Sequence, residues 1–93
     1  MNDKFHLIVS SREGVVFEGD VESITSYNEK GKFDVLAQHA NFISLVKNNL
    51  TVRVQGDSVD KELSFDNALM RVRENKVEVY LGVEGLTSNS YVD

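Results

Sequence analysis

The chain has 93 residues, of which 41% are apolar and 27% charged; its net charge is −5 and it has no cysteine. This is the composition of one globular domain that buries about 60–65% of its unfolded surface, without a disulfide framework or a thiolate metal site. The acidic balance argues against nucleic acid and against direct docking on anionic lipid, both of which need clustered positive charge, and no apolar run nears the ~20 residues of a membrane helix.

Residues 1–3 are a polar lead, without the basic-then-apolar pattern of a signal peptide. From Lys4 to Ser11 the chain alternates, with Phe5, Leu7 and Val9 on one side and His6 and Ser10 on the other, the two-residue period of a half-buried strand. Arg12-Glu13-Gly14 reads as a turn. Val15 to Glu18 reads as a second strand ended by Gly19-Asp20, and Val21 to Tyr27 as a third, rich in β-branched residues.

The stretch Lys32–Val46 is the longest apolar segment, and its pattern is ambiguous. Leu36, Ala40 and Ile43 fit a helical period, whereas Phe33, Val35 and Phe42–Val46 have strand composition. Two short strands joined by an irregular turn at 37–41 are the preferred reading, with a helix as the alternative. Asn48-Asn49 is then a turn signal. Leu50 to Gln55 alternates, Gly56-Asp57 predicts a hairpin, and Val59 to Phe65 predicts the returning strand. Leu69–Arg73 predicts another strand, Glu74-Asn75-Lys76 a tight turn, and Val77, Val79 and Leu81 the inward face of the next strand. Eight to ten short strands at this spacing predict an all-β sandwich or barrel. Residues 1–83 form the expected domain, and 84–93 a polar tail.

Catalytic chemistry finds little footing. His6 and His39 lack metal-ligand spacing, and Glu18, Asp20 and Glu22 lack a calcium-loop pattern, so a solvated edge is the simpler reading. No nucleophile elbow and no phosphate loop is present. Arg71 and Arg73 share a strand face, either solvated or carboxylate-binding. The aromatic rings Tyr27, Phe33, Phe42, Tyr80 and Tyr91 do not fall on one alternating face. A compact β domain of this kind is more often an interaction module than an enzyme.

Three segments then resemble one family in order and spacing. Phe17–Ile24, FEGDVESI, resembles the FEGEVESV segment of the N-terminal domain of the ε subunit of F-type ATP synthase. Gly31–Ala40 resembles its GEFGVLPGHAPL segment, and Leu69–Val79 its FLEVRDNKVTVL segment. The resemblance implies a ten-stranded antiparallel β-sandwich of two five-stranded sheets. It further implies a non-catalytic rotor subunit at the foot of the central stalk, which links the γ subunit to the c-ring and couples ion flow to ATP synthesis. The chain would sit peripherally at the cytoplasmic face of the plasma membrane, without lipid insertion, cofactor or metal. A stand-alone sandwich binding another protein, a peptide or a glycan is the alternative.

By position, Glu29, Lys30, Gly31 and Lys32 match the loop that meets the c-ring, and Ser11, His39 and Ala40 match positions near γ. Lys32 stands where family members often carry an acid. Ala37 and Asn41 replace the prolines that normally flank the His-Ala pair, which implies a less rigid turn; Asn67-Ala68 replaces a Gly-Gly. The chain ends at Asp93 without the family's C-terminal helical hairpin. A short form, with neither inhibition by helix extension nor ATP binding, is therefore expected.

Overall fold

The computed structural model describes residues 4–54 and 60–82. The alternation of the first segment becomes β1 (Phe5–Ser11), which buries Phe5, Leu7 and Val9. It turns at Arg12-Glu13 into β2 (Gly14–Val21). This strand does not stop at Gly19-Asp20 as the sequence suggests: Gly19 pairs with Leu7 and Asp20 with His6, so the ladder continues to Val21. Only Glu22 breaks it, donating its N–H to the Arg53 carbonyl (2.8 Å). Then β3 (Ser23–Asn28) and β4 (Gly31–Leu36) form a hairpin.

The central stretch holds no helix. It gives β4, the turn at 37–41 and the start of β5 (Phe42–Arg53), as the strand reading expects. Asn48-Asn49, however, is not a turn. Asn48 does adopt a left-handed φ of 77°, as asparagine tolerates, but the strand runs on through it. Opposite it, β6 (Lys61–Arg73) is also one strand instead of two, with Asp66 as an extra residue between Phe65 and Asn67. That insertion switches the inward set of β6 from odd positions (Leu63, Phe65) to even ones (Ala68, Met70, Val72), as a bulge must when side chains alternate. The bend is held from β3 by Ser26, whose fully buried hydroxyl donates to the Asn49 carbonyl (2.8 Å). A two-residue turn at Glu74-Asn75 leads into β7 (Lys76–Leu81).

The expected ten strands in two antiparallel sheets are thus, among the described residues, seven strands in one hydrogen-bonded order, β2-β1-β7-β6-β5-β3-β4. One pair, β1 with β7, is parallel. The joining of predicted strands end to end in β5 and in β6 lowers the count by two. All seven contribute buried side chains to one cluster, in which Leu7, Ile24, Leu50 and Met70 are the largest fully buried side chains. No helix among the described residues covers that cluster, so the sheet's own halves must shield it from water. The predicted hairpin at Gly56-Asp57 and the tail at 84–93 lie outside the described residues.

Candidate functional site

The β3–β4 hairpin projects Glu29 and Lys30 beyond its last pair, Asn28 with Gly31. The Asn28 side-chain oxygen accepts the Lys30 N–H (2.9 Å), an Asx turn that fixes the tip. Gly31 takes φ +118°, a region that disfavours side chains. Lys32 follows on the outer face, directly opposite Tyr27. Four of the residues expected to meet a partner, Glu29, Lys30, Gly31 and Lys32, are therefore exposed together at one end.

His39 and Ala40 lie in the β4–β5 turn, and this turn is tied down in a way that no local pattern announces. Asn75 accepts the Gln38 N–H on its side-chain oxygen (2.7 Å) and donates its amide to the Lys4 carbonyl (2.9 Å). The Asn75 carbonyl accepts the His6 N–H (3.1 Å). Asn41 in turn accepts the Glu74 N–H (3.2 Å). Where proline would hold this turn through φ, two asparagine side chains hold it through hydrogen bonds. The exposed His39 donates from Nδ1 to the Ala40 carbonyl (2.8 Å), and its ring rests 5.1 Å from that of Phe42. Phe42 meets Phe33 edge-on at 6.0 Å. These rings brace the turn.

Between this turn and Ser11 runs the outer face of β5, β6, β7 and β1. The pairing registers place Leu45, Leu69, Tyr80 and Ser10 in one row across the four strands, ending at Val15 of β2. The next row is Ile43, Arg71, Glu78, Ile8 and Glu18. Ile43 is 67% exposed, Leu45 40% and Tyr80 36%, so apolar area continues from strand to strand. Arg71 reaches Glu78 across the ladder (3.8 Å). The Arg73 side chain makes no hydrogen bond or ion pair among the described residues and borders a shallow hollow with Asn41, Phe42 and Ile43. Burial raises the Tyr80 phenol above its usual range and Glu78 beside it raises it further, so the hydroxyl stays a neutral donor. Ser11 continues from Ser10 at one corner of this face, while the 37–41 turn is docked on the opposite end of β1. Ser11 is thus not brought beside His39 and Ala40; the three bracket the face.

His6, read from the sequence as a solvent-facing histidine, bridges two acids of the edge strand. Its Nδ1 lies 3.0 Å from Asp20 and its Nε2 3.0 Å from Glu18. The acids sit on opposite sides of the ring and do not converge on a common point. The hydrogen bond to Asp20, then that to Glu18, holds the imidazolium above its ordinary pKa of 6.5, against a smaller desolvation effect; Lys76 opposes His6 from β7. A raised folded-state pKa stabilises the fold below the unfolded value, and the gain disappears as pH rises through the folded value. Replacing His6 by Gln is expected to lower the melting temperature at pH 6 and to leave it nearly unchanged at pH 8.5. The difference should be small, about 1 kcal/mol or less, as for other exposed pairs. Equal losses at both pH values would show that the bridge carries no charge-dependent stability.

Residues 4–82 match the family model of the β-sandwich domain of the ATP synthase delta/epsilon chain. The chain belongs to this family. Within it, the ATP synthase epsilon chain of Nitratiruptor sp. is 32% identical over 91 residues, covering 94% of this chain and 70% of that protein. The epsilon chain of Campylobacter jejuni is 29% identical over 77 residues, and this chain spans only 60% of its length. In structure, the domain resembles a chain from the central stalk and c-ring of Tetrahymena thermophila mitochondrial ATP synthase (TM-score 0.71, 10% identity, 82% of this chain and 61% of that one). It also resembles a chain from the Euglena gracilis mitochondrial ATP synthase, solved with OSCP, F1 and c-ring (TM-score 0.78, 17% identity, 87% of this chain and 52% of that one). At those identities the likeness is one of fold. No helix among the described residues is long and apolar enough to cross a membrane.

Proposed function

We propose that this chain is a non-catalytic central-stalk subunit of an F-type ATP synthase, joined to γ and to the c-ring and turning with them to couple ion translocation to ATP synthesis. The observation that carries the reading is that the family match spans the whole described sheet, residues 4–82. Geometry supports it. A rotor part transmits torque through a stiff body and broad contact faces, and close-packed interiors deform little. The outer face from Leu45 to Ser10 supplies an apolar centre with Arg71 and Arg73 at hand, a composition suited to a protein interface. We assign this face, with Ser11, His39 and Ala40 at its margins, to γ, and the hairpin of Glu29, Lys30, Gly31 and Lys32 to the c-ring.

For the fold, we propose a two-layer division, supported by the irregularity at Asn48 and Asp66: it divides β5 and β6 each in two, which would raise the seven described strands to nine, with the halves serving different layers. The subunit would be held peripherally at the cytoplasmic face of the plasma membrane through the complex, with no lipid insertion.

Mixing the purified chain with the γ subunit of the same source is the direct test. One-to-one co-elution on a sizing column at micromolar concentration is expected. Separate elution of the two at that concentration would overturn the assignment.

A further inference from the structure

Three lysines gather at the hairpin end of an otherwise acidic chain. Tyr27 pairs with Lys32 on one side and with Lys47 on the other, so the two ammonium groups flank it on one face. Adjacent strands are about 4.8 Å apart, which sets the two Cα atoms about 10 Å from each other. Lys30 stands at the tip beyond them. None of the three makes a side-chain hydrogen bond or ion pair among the described residues. The acids at this end are Glu29, which lines a shallow hollow with Asn28, Leu45, Lys47 and Asn67, and the exposed Asp66, which precedes Asn67, the β6 partner of Lys47. Two carboxylates against three ammonium groups leave this end at +1, so the rest of the chain carries −6 to give the net −5. Such a separation of charge orients an approaching partner and rejects one of like sign.

We propose that the Lys30, Lys32 and Lys47 face recognises an acidic protein loop, one that presents two carboxylates at about the spacing of Lys32 and Lys47. This rests on the reading that the hairpin meets a protein partner of the rotor, and it specifies that partner's chemistry. An anionic lipid surface fits less well. Three lysines attract it by only about 1 kcal/mol each, the remainder of the chain is repelled, and the tip residues Asn28, Glu29, Lys30 and Gly31 include no apolar side chain to seat in the headgroup layer.

The test uses source membranes that carry the synthase and have been stripped of this chain, and follows rebinding of the chain by sedimentation. The double variant Lys32→Glu/Lys47→Glu is expected to bind about tenfold more weakly at 50 mM salt, with the gap closing toward 500 mM as the charges are screened. Lys32→Arg/Lys47→Arg should rebind like the parent. Both positions are exposed, and unchanged melting curves would exclude misfolding. Undiminished rebinding of the Glu variant at low salt, with γ binding intact, would overturn the inference and leave the proposed function standing. Equal binding of the parent to protein-free vesicles of anionic lipid would overturn it in favour of lipid. Failure of the parent to rebind at all, together with failure to bind γ, would overturn both.

Discussion

Leu45→Asp is expected to weaken binding to γ by about 100-fold or more, enough to abolish co-elution at micromolar concentration, with little change in melting temperature. Leu45 sits in the first half of β5, 40% exposed, and is paired across the ladder with Leu69. In the free chain an aspartate there stays in water. In the proposed complex it would be buried among Leu69, Ile43 and Tyr80 without a counter-charge, since the Arg71 guanidinium is already turned to Glu78 and Lys47 is committed to the other partner. Burying an unpaired charge at the centre of an interface costs several kcal/mol. Val16→Asp is the comparison: Val16 is 48% exposed on edge strand β2, outside the apolar row, and the change should alter binding by less than about threefold, as for peripheral positions. Isothermal titration against γ would separate the outcomes. Unaltered affinity of Leu45→Asp would remove this face from the interface. Equal losses at both positions would assign the effect to net charge.

The second large effect is expected in stability, at a residue exposed to solvent. Asn75→Ala should lower the unfolding free energy by about 2–3 kcal/mol, from two lost side-chain hydrogen bonds at about 1 kcal/mol each and about 1 kcal/mol for forcing alanine into a left-handed conformation. Glu74 and Asn75 have φ of 50° and 64°, and Arg73 pairs directly with Lys76. That is a two-residue loop with both central residues at positive φ, the turn that matches the twist of a hairpin. Asn75→Gly keeps the backbone conformation and loses only the side chain, so about 1–2 kcal/mol is expected. At about 4–8 °C per kcal/mol for a domain of this size, the alanine variant melts about 10–20 °C lower. Urea titration of the three proteins would test this. Equal losses for alanine and glycine would show that backbone conformation contributes nothing, and no loss in either would show that the bonds to Gln38 and Lys4 are not stabilising.

How much of the fold is legible in the sequence follows the range of the physics involved. Alternation is local, so β1, β7 and the Leu50–Arg53 half of β5 can be read with the correct face inward. Turn chemistry is also local, and it places the bends at Arg12-Glu13 and Glu74-Asn75. Asparagine and glycine mislead where the ladder overrides them. Asn48 does take the positive φ that a turn would use, but pairing with β6 carries the strand through it. Gly19-Asp20 has turn composition, and its ladder with β1 keeps it extended. The bridge from His6 to Glu18 and Asp20 depends on the register between two strands, and the reach of Asn75 to Gln38 and Lys4 depends on the closed fold. Neither is visible in spacing along the chain. Resemblance locates the residues of the hairpin tip and the 37–41 turn, whereas their arrangement around one continuous face requires the pairing of four strands.

The parallel pairing of β1 with β7 has a consequence for synthesis. The first of the described strands is flanked in the finished sheet by its hairpin neighbour and by the last of them, with His6 meeting Lys76. The β1–β2 and β3–β4 hairpins can close as they emerge, and β3–β4 can join β5 next, but the seam that unites β1–β2 with the rest waits until β7 is free. Closing so distant a pair is slow compared with forming a hairpin. Until then one flank of β1 remains unpaired, and the nascent chain is open to strand exchange with its neighbours on a crowded polysome.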